Sequence, residues 1–153
     1  MNRMNMLKSV VVLLCFSISF ASFAQTKKKP DKSKFLENRK FSVQFYEMKP
    51  TGRGKAVEST VSTKTGKIES PLMKEKLQID EANFTVILDS TYTEDETEMH
   101  MVKLEAFIEN KKDETKWEAT IINFDIDGTV VLRKGDVDKK KFEFSGTEKT
   151  KKK

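Results

Sequence analysis

The chain has 153 residues, with 29 basic and 24 acidic side chains and a formal charge of +5. Sixteen apolar residues fall within the first 24 positions, and those that remain suffice for one compact core but not for two. A single cysteine and this composition exclude a disulfide scaffold, a collagen-like chain and a mature protein that crosses a membrane by a helix.

Residues 1–24 read as a secretory signal. Arg3 and Lys8 give it a charged start, and Val10 to Phe20 is apolar except for Ser17 and Ser19. That run is too short to span a bilayer as a helix. Ser22 and Ala24 place small residues at −3 and −1, so cleavage is expected before Gln25. The alternative is an uncleaved N-terminal anchor. Leu14 precedes Cys15, where a lipoprotein would carry a small residue, so lipidation is not expected. The lone cysteine leaves with the signal, and the mature chain is expected to be secreted or periplasmic without thiol or disulfide.

Charge is distributed unevenly along the rest. Residues 25–34 form a basic linker of net +4, and the tail at 149–153 adds another +4. The domain between them, 35–148, carries net −5. The basic surplus is therefore assigned to disordered tails, with weak contact to anionic surfaces as their one expected role. A nucleic-acid binder would carry its charge on a structured face with interleaved aromatics, so no nucleic-acid partner is expected.

From Phe35 onward the apolar residues alternate with polar ones, the period of strands. Phe41, Val43 and Phe45 share a face of the first strand, and a glycine-bearing turn at 51–54 leads to a second with Val57 and Val61. Thr65-Gly66 turns into a short third strand around Ile68. Residues 72–77 carry Leu72, Met73 and Leu77 at helical spacing and predict one helical turn. Phe84, Val86 and Leu88 define a fourth strand reaching Tyr92. Val102, Leu104, Ala106 and Ile108 mark the fifth, Trp117, Ala119 and Ile121 the sixth, Val130 and Leu132 the seventh, and Phe142 and Phe144 the eighth. A reversal is expected near Asp125 to Gly128.

Eight short strands joined by tight turns favour antiparallel neighbours, and no crossover helix allows a parallel sheet. The expected fold is all-β, an antiparallel eight-stranded up-and-down barrel in one domain, with an open sandwich as the alternative. The stretches Trp117-Glu118-Ala119-Thr120-Ile121, Ile126-Asp127-Gly128-Thr129 and Phe142-Glu143-Phe144-Ser145-Gly146 resemble small secreted bacterial proteins described as lipocalin-like. The resemblance covers roughly Phe41 to Glu148 and implies a calycin-type barrel able to hold a ligand. Lipocalins carry Gly-x-Trp on the first strand, and Lys40-Phe41-Ser42-Val43 has neither residue, so no functional residue transfers.

Three motifs resemble known chemistry. Phe124-Asp125-Ile126-Asp127-Gly128-Thr129-Val130 matches the first motif of haloacid-dehalogenase-type phosphatases, where the first aspartate accepts the phosphoryl group and the second acts as general acid/base. That chemistry needs a large α/β domain after the motif, and 24 residues follow Thr129. Met99-His100-Met101 carries ligands suited to copper(I), but on a strand the two methionines face away from the histidine, and no second histidine exists. Asn83-Phe84-Thr85 fits a glycosylation acceptor within a strand. No enzymatic activity, cofactor or metal site is expected.

Two functional classes remain. One is a binding module holding a small hydrophobic or amphiphilic ligand inside the barrel, with Phe45, Val61, Phe84, Tyr92, His100, Val102, Leu104, Trp117, Phe142 and Phe144 as pocket candidates. The other is a protein-interaction or inhibitor module with a fully packed barrel.

Overall fold

The computed structural model describes residues 34–109 and 113–149. The expected signal, all but the last residue of the basic linker and the final four residues of the tail lie outside them. The chain runs as a 3-10 turn (Lys34–Leu36), β1 (Arg39–Lys49), β2 (Gly52–Lys64), β3 (Lys67–Glu69), α1 (Pro71–Leu77), β4 (Ala82–Glu94), β5 (Thr97–Glu109), β6 (Glu114–Ile122), β7 (Asp125–Lys134) and β8 (Val137–Glu148). Each strand pairs antiparallel with the next, and β8 pairs back onto β1, closing an up-and-down barrel. No helix among the described residues is long and apolar enough to cross a membrane.

Alternation sets which side chains point inward. Phe41, Val43 and Phe45 on β1 and Phe142 and Phe144 on β8 are buried, while their neighbours Ser42, Gln44 and Lys141 are exposed. The barrel has a plug at one end and a helix at the other. At the plug end, where β1 begins and β8 finishes, Leu36 of the 3-10 turn is buried and its carbonyl accepts a 2.6 Å bond from Thr63 Oγ1. At the helix end α1 buries Leu72 and Met73, each contributing about 1.5–3 kcal/mol on burial. Seven residues are too few for a stable isolated helix, so this packing holds it. Pro71 starts it, and Gln78, in the left-handed region at φ 59°, ends it. β3 makes only two residue pairs with β4, and α1 packs against β2.

Two glycines are required by close approach. A Cβ on Gly128 would stand 2.6 Å from Phe144 Cζ and 2.2 Å from the Glu118 carbonyl oxygen. One on Gly146 would stand 1.9 Å from the Ser42 oxygen, where β8 meets β1.

The structure corrects three local expectations. β4 carries a bulge at Ile87: Val86 faces Leu104, but Leu88 faces Lys103 and Asp89 faces Val102. One inserted residue reverses the parity beyond it. Leu88 is consequently 39% exposed, and Tyr92 pairs with Met99 in the outward register. Val57 shares the face of Val61 and pairs with buried Phe45, yet it stands at the helix end beside a small concavity and is exposed. The reversal expected near Asp125 to Gly128 falls just before it, at Asn123-Phe124, so that Asp125 to Gly128 themselves lie within β7.

Candidate functional site

Eight of the ten interior candidates meet in one buried cluster: Phe45, Val61, Phe84, Val102, Leu104, Trp117, Phe142 and Phe144. Trp117 is fully buried, its ring edge-on to Phe144 at 6.0 Å, and Phe144 lies 5.1 Å from Phe45. Trp117 Nε1 finds no acceptor among the described residues. An eight-stranded barrel is just wide enough for side chains to fill it, and here they interdigitate.

The other two candidates stand apart. Tyr92 is half-buried on the outward register beyond the bulge. His100 keeps the inward parity of Val102 but sits at the plug end, where Phe35 of the 3-10 turn covers its ring at 3.9 Å. Its Nε2 lies 2.6 Å from Oδ1 of the exposed Asp89, which the bulge sets opposite Val102. Met99 Sδ accepts a 3.2 Å contact from Asn123 Nδ2. His100 and Met99 are thus engaged by different side chains, and among the described residues no group of three metal-ligating His, Cys, Asp or Glu side chains forms.

A groove of about 850 Å³ lies at the plug end. Its floor is Arg39, the first residue of β1, whose side chain points inward in register with Phe41. The guanidinium is 4.5 Å from the Phe35 ring centre and 5.0 Å from that of Phe41. Nη2 donates to Glu148 Oε2 at 2.6 Å and to the Asn123 carbonyl, while Nη1 has no acceptor among the described residues. Lys40, Lys64, Glu69 and Lys149 form part of the rim. Lys64 is bound to Glu69 at 2.7 Å, and that carboxylate holds the ammonium above its usual pKa, chiefly by the hydrogen bond. Phe124, 70% exposed on the β6–β7 turn, borders this groove and a second one of about 530 Å³ lined by Phe35, Arg39 and Glu98.

Smaller concavities lie elsewhere, one of about 300 Å³ among Thr60, Ser70, Lys74 and Glu81 and two that involve residues considered above. One of about 230 Å³ opens at the helix end, between α1 and the β1–β2 hairpin, with Phe45, Val57, Leu72 and Phe142 inside and Lys49, Lys55 and Lys76 around it. Three interior candidates thus border a concavity, Phe45 and Phe142 here and Leu104 at the next. The other, about 290 Å³, crosses the outer wall beside Asp127, whose carboxyl is raised above the ordinary range by partial burial against the opposing pull of Lys103. The phosphatase-like motif therefore lies along one strand, with Gly128 inward under Phe144 and Asp127 on the outer wall.

Arg39, Lys40 and Asn123 were not singled out by sequence reasoning, while Phe124 entered only as the first residue of the phosphatase-like motif and Lys149 only as part of the basic tail. One signal was present: in Arg39-Lys40-Phe41-Ser42-Val43 the arginine shares the inward parity, and an inward charge demands a partner. The chain matches no family model, no curated protein and no solved structure.

Proposed function

We propose that this chain is exported and acts as a non-catalytic binding domain for a small amphiphile with an anionic head, seated in the plug-end groove. The observation that carries the reading is a buried arginine beside an exposed phenylalanine in a concavity of about 850 Å³, within the usual range for small-molecule sites. Lys40 and Lys149 at the rim attract the head group, and Phe124 offers apolar area to the tail. Burying about 200 Å² of apolar ligand surface would contribute roughly 5 kcal/mol before entropy losses. Export rests on residues 1–24. The likeness to secreted lipocalin-like proteins is compatible with the closed ring of eight strands. Full packing around Trp117 favours a ligand at the end of the barrel over one inside it; it equally favours a second reading, a protein-interaction module that acts through its surface.

Titration with a series of C8 to C16 fatty acids and lysophosphatidylglycerol, followed by amide NMR shifts, tests this. Saturable shifts confined to residues 38–40, 124 and 148–149 are expected, with unchanged Trp117 emission and weaker binding after Phe124→Ser. Shifts centred on Val102, Leu104 and Trp117 would place the ligand inside. No saturable binding across the series would leave the protein-interaction reading. Mass spectrometry of the exported chain should find Gln25 at its N-terminus.

A further inference from the structure

The domain's negative net charge hides a segregation. The β4–β5 tip, residues 89–98, carries five acidic and no Lys or Arg side chains. At the opposite end two other hairpin tips come together, because β1 pairs with β8 and sets Met48 beside Lys141. The β1–β2 tip (47–55) and the β7–β8 tip (133–141) hold eight basic residues and three acidic ones. Asp138 is already bound to Arg133 at 2.6 Å. Among the described residues no carboxylate is within ion-pairing distance of Lys49, Lys55, Lys134, Lys139 or Lys140. Exposed Val57 and Val137 stand among these lysines. The β5–β6 tip, residues 109–114, carries three acidic and two basic residues in sequence and is not counted in this basic face. The expectation that basic charge is confined to the tails is thus incomplete: hairpin closure builds a second basic region on the folded domain.

We propose that this crescent of hairpin tips docks the domain on an anionic lipid bilayer. Lysines ringing exposed apolar side chains suit a charged head-group layer over apolar chains. The crescent exposes valines and no aromatic platform, which favours a bilayer over a nucleic acid. The described chain begins at Lys34 and ends at Lys149, both at the plug end, so docking through the tips leaves the plug-end groove turned away from the bilayer. The proposal does not depend on what that groove binds.

Co-sedimentation of the exported chain with vesicles of phosphatidylcholine alone, or with one-third phosphatidylglycerol, tests it. Binding to the anionic vesicles only is expected, weakening as salt is raised. Neutralising Lys49, Lys55, Lys139 and Lys140 to Gln should lower affinity by about fivefold for each lysine seated near the surface. Val137→Ser, which changes no charge, should weaken binding less. These side chains are exposed, and unchanged circular dichroism will show that the fold is kept. The proposal is overturned if Lys27, Lys28 and Lys29→Gln abolishes binding while the tip variant retains it. Equal binding to neutral vesicles, or a duplex DNA that binds more tightly than the vesicles through the same lysines, also overturns it.

Discussion

Arg39 is where fold and proposed site meet, so its replacement is the sharpest test of both. Arg39→Met keeps most of the stem that fills the space between Phe35 and Phe41 and removes the charge. The guanidinium side chain is 9% exposed and the Glu148 side chain 25%, with 2.6 Å between the interacting atoms. At an effective dielectric of about 20, charges roughly 4 Å apart attract by about 4 kcal/mol, part of which offsets desolvation. Stranding one member of a buried pair costs about 3–5 kcal/mol. Glu148 retains some access to water, which sets the expectation at about 3 kcal/mol, the low end of that range. The two ring stacks contribute up to about 1 kcal/mol each and are included in that figure.

Glu148→Gln should cost about 2 kcal/mol, because it leaves the arginine with a weaker, neutral acceptor. If the two side chains act as a pair, the double variant costs about 3 kcal/mol, well short of the additive 5. Urea unfolding followed by Trp117 emission measures all three, since the only tryptophan is fully buried and reports loss of the core. A loss under about 1 kcal/mol for Arg39→Met, or additivity within about 0.5 kcal/mol, would refute the assignment of Arg39 and Glu148 as a buried pair at the groove floor.

Other substitutions probe separate parts of the barrel. Gly128→Ala forces a methyl against both the Phe144 ring and the rigid Glu118 carbonyl, so a loss of about 3 kcal/mol is expected, read as a midpoint roughly 10 °C lower. Phe144→Leu should recover little of that loss, because the backbone contact remains. Gln78→Gly relieves the left-handed strain at the end of α1 and should raise stability by about 0.5–1 kcal/mol. Asp127 has a folded carboxyl pKa raised by burial, so the native state binds its proton more readily than the unfolded chain. Its contribution is most favourable below the unfolded pKa and declines as pH rises through the raised folded value. Asp127→Asn should therefore be slightly stabilising at pH 7, the effect being small because the exposed carboxyl is screened by water, with an advantage that shrinks toward pH 4. A variant less stable than the parent at pH 7 would contradict that sign.

Much of the fold was legible because alternation is a local property. Phe41, Val43 and Phe45, or Trp117, Ala119 and Ile121, announce an inward face without reference to the rest of the chain, and tight turns join such runs as antiparallel neighbours. Parity counting failed where the backbone itself changes phase. The bulge at Ile87 sends Leu88 and Tyr92 outward and sets Asp89 opposite Val102. Nothing in Val86-Ile87-Leu88 marks the extra residue, since three aliphatic residues fit either face. The pairing of His100 with Asp89 follows from that bulge and was unreadable for the same reason.

The plug-end groove was hidden more deeply. Its lining comes from four separated segments, residues 37–40, 62–69, 124 and 148–149, and they meet because β8 closes onto β1 and the β6–β7 turn folds toward that seam. Closure is a global event with no spacing rule, so Arg39 and Glu148, 109 positions apart, carry no mutual signal. The basic crescent has the same origin. Lys49 and Lys140 read as ordinary solvated residues of two hairpins, and only ring closure sets those hairpins side by side. In an up-and-down barrel the walls are written locally, strand by strand, whereas each end is assembled from turns distant in sequence. Both proposed surfaces lie at the ends, where side chains gather from turns distant in sequence, and the basic tips are outweighed in the total by acidic residues elsewhere. That is why a net charge of −5 for residues 35–148 is compatible with a basic face, and why pairing register is needed to find it.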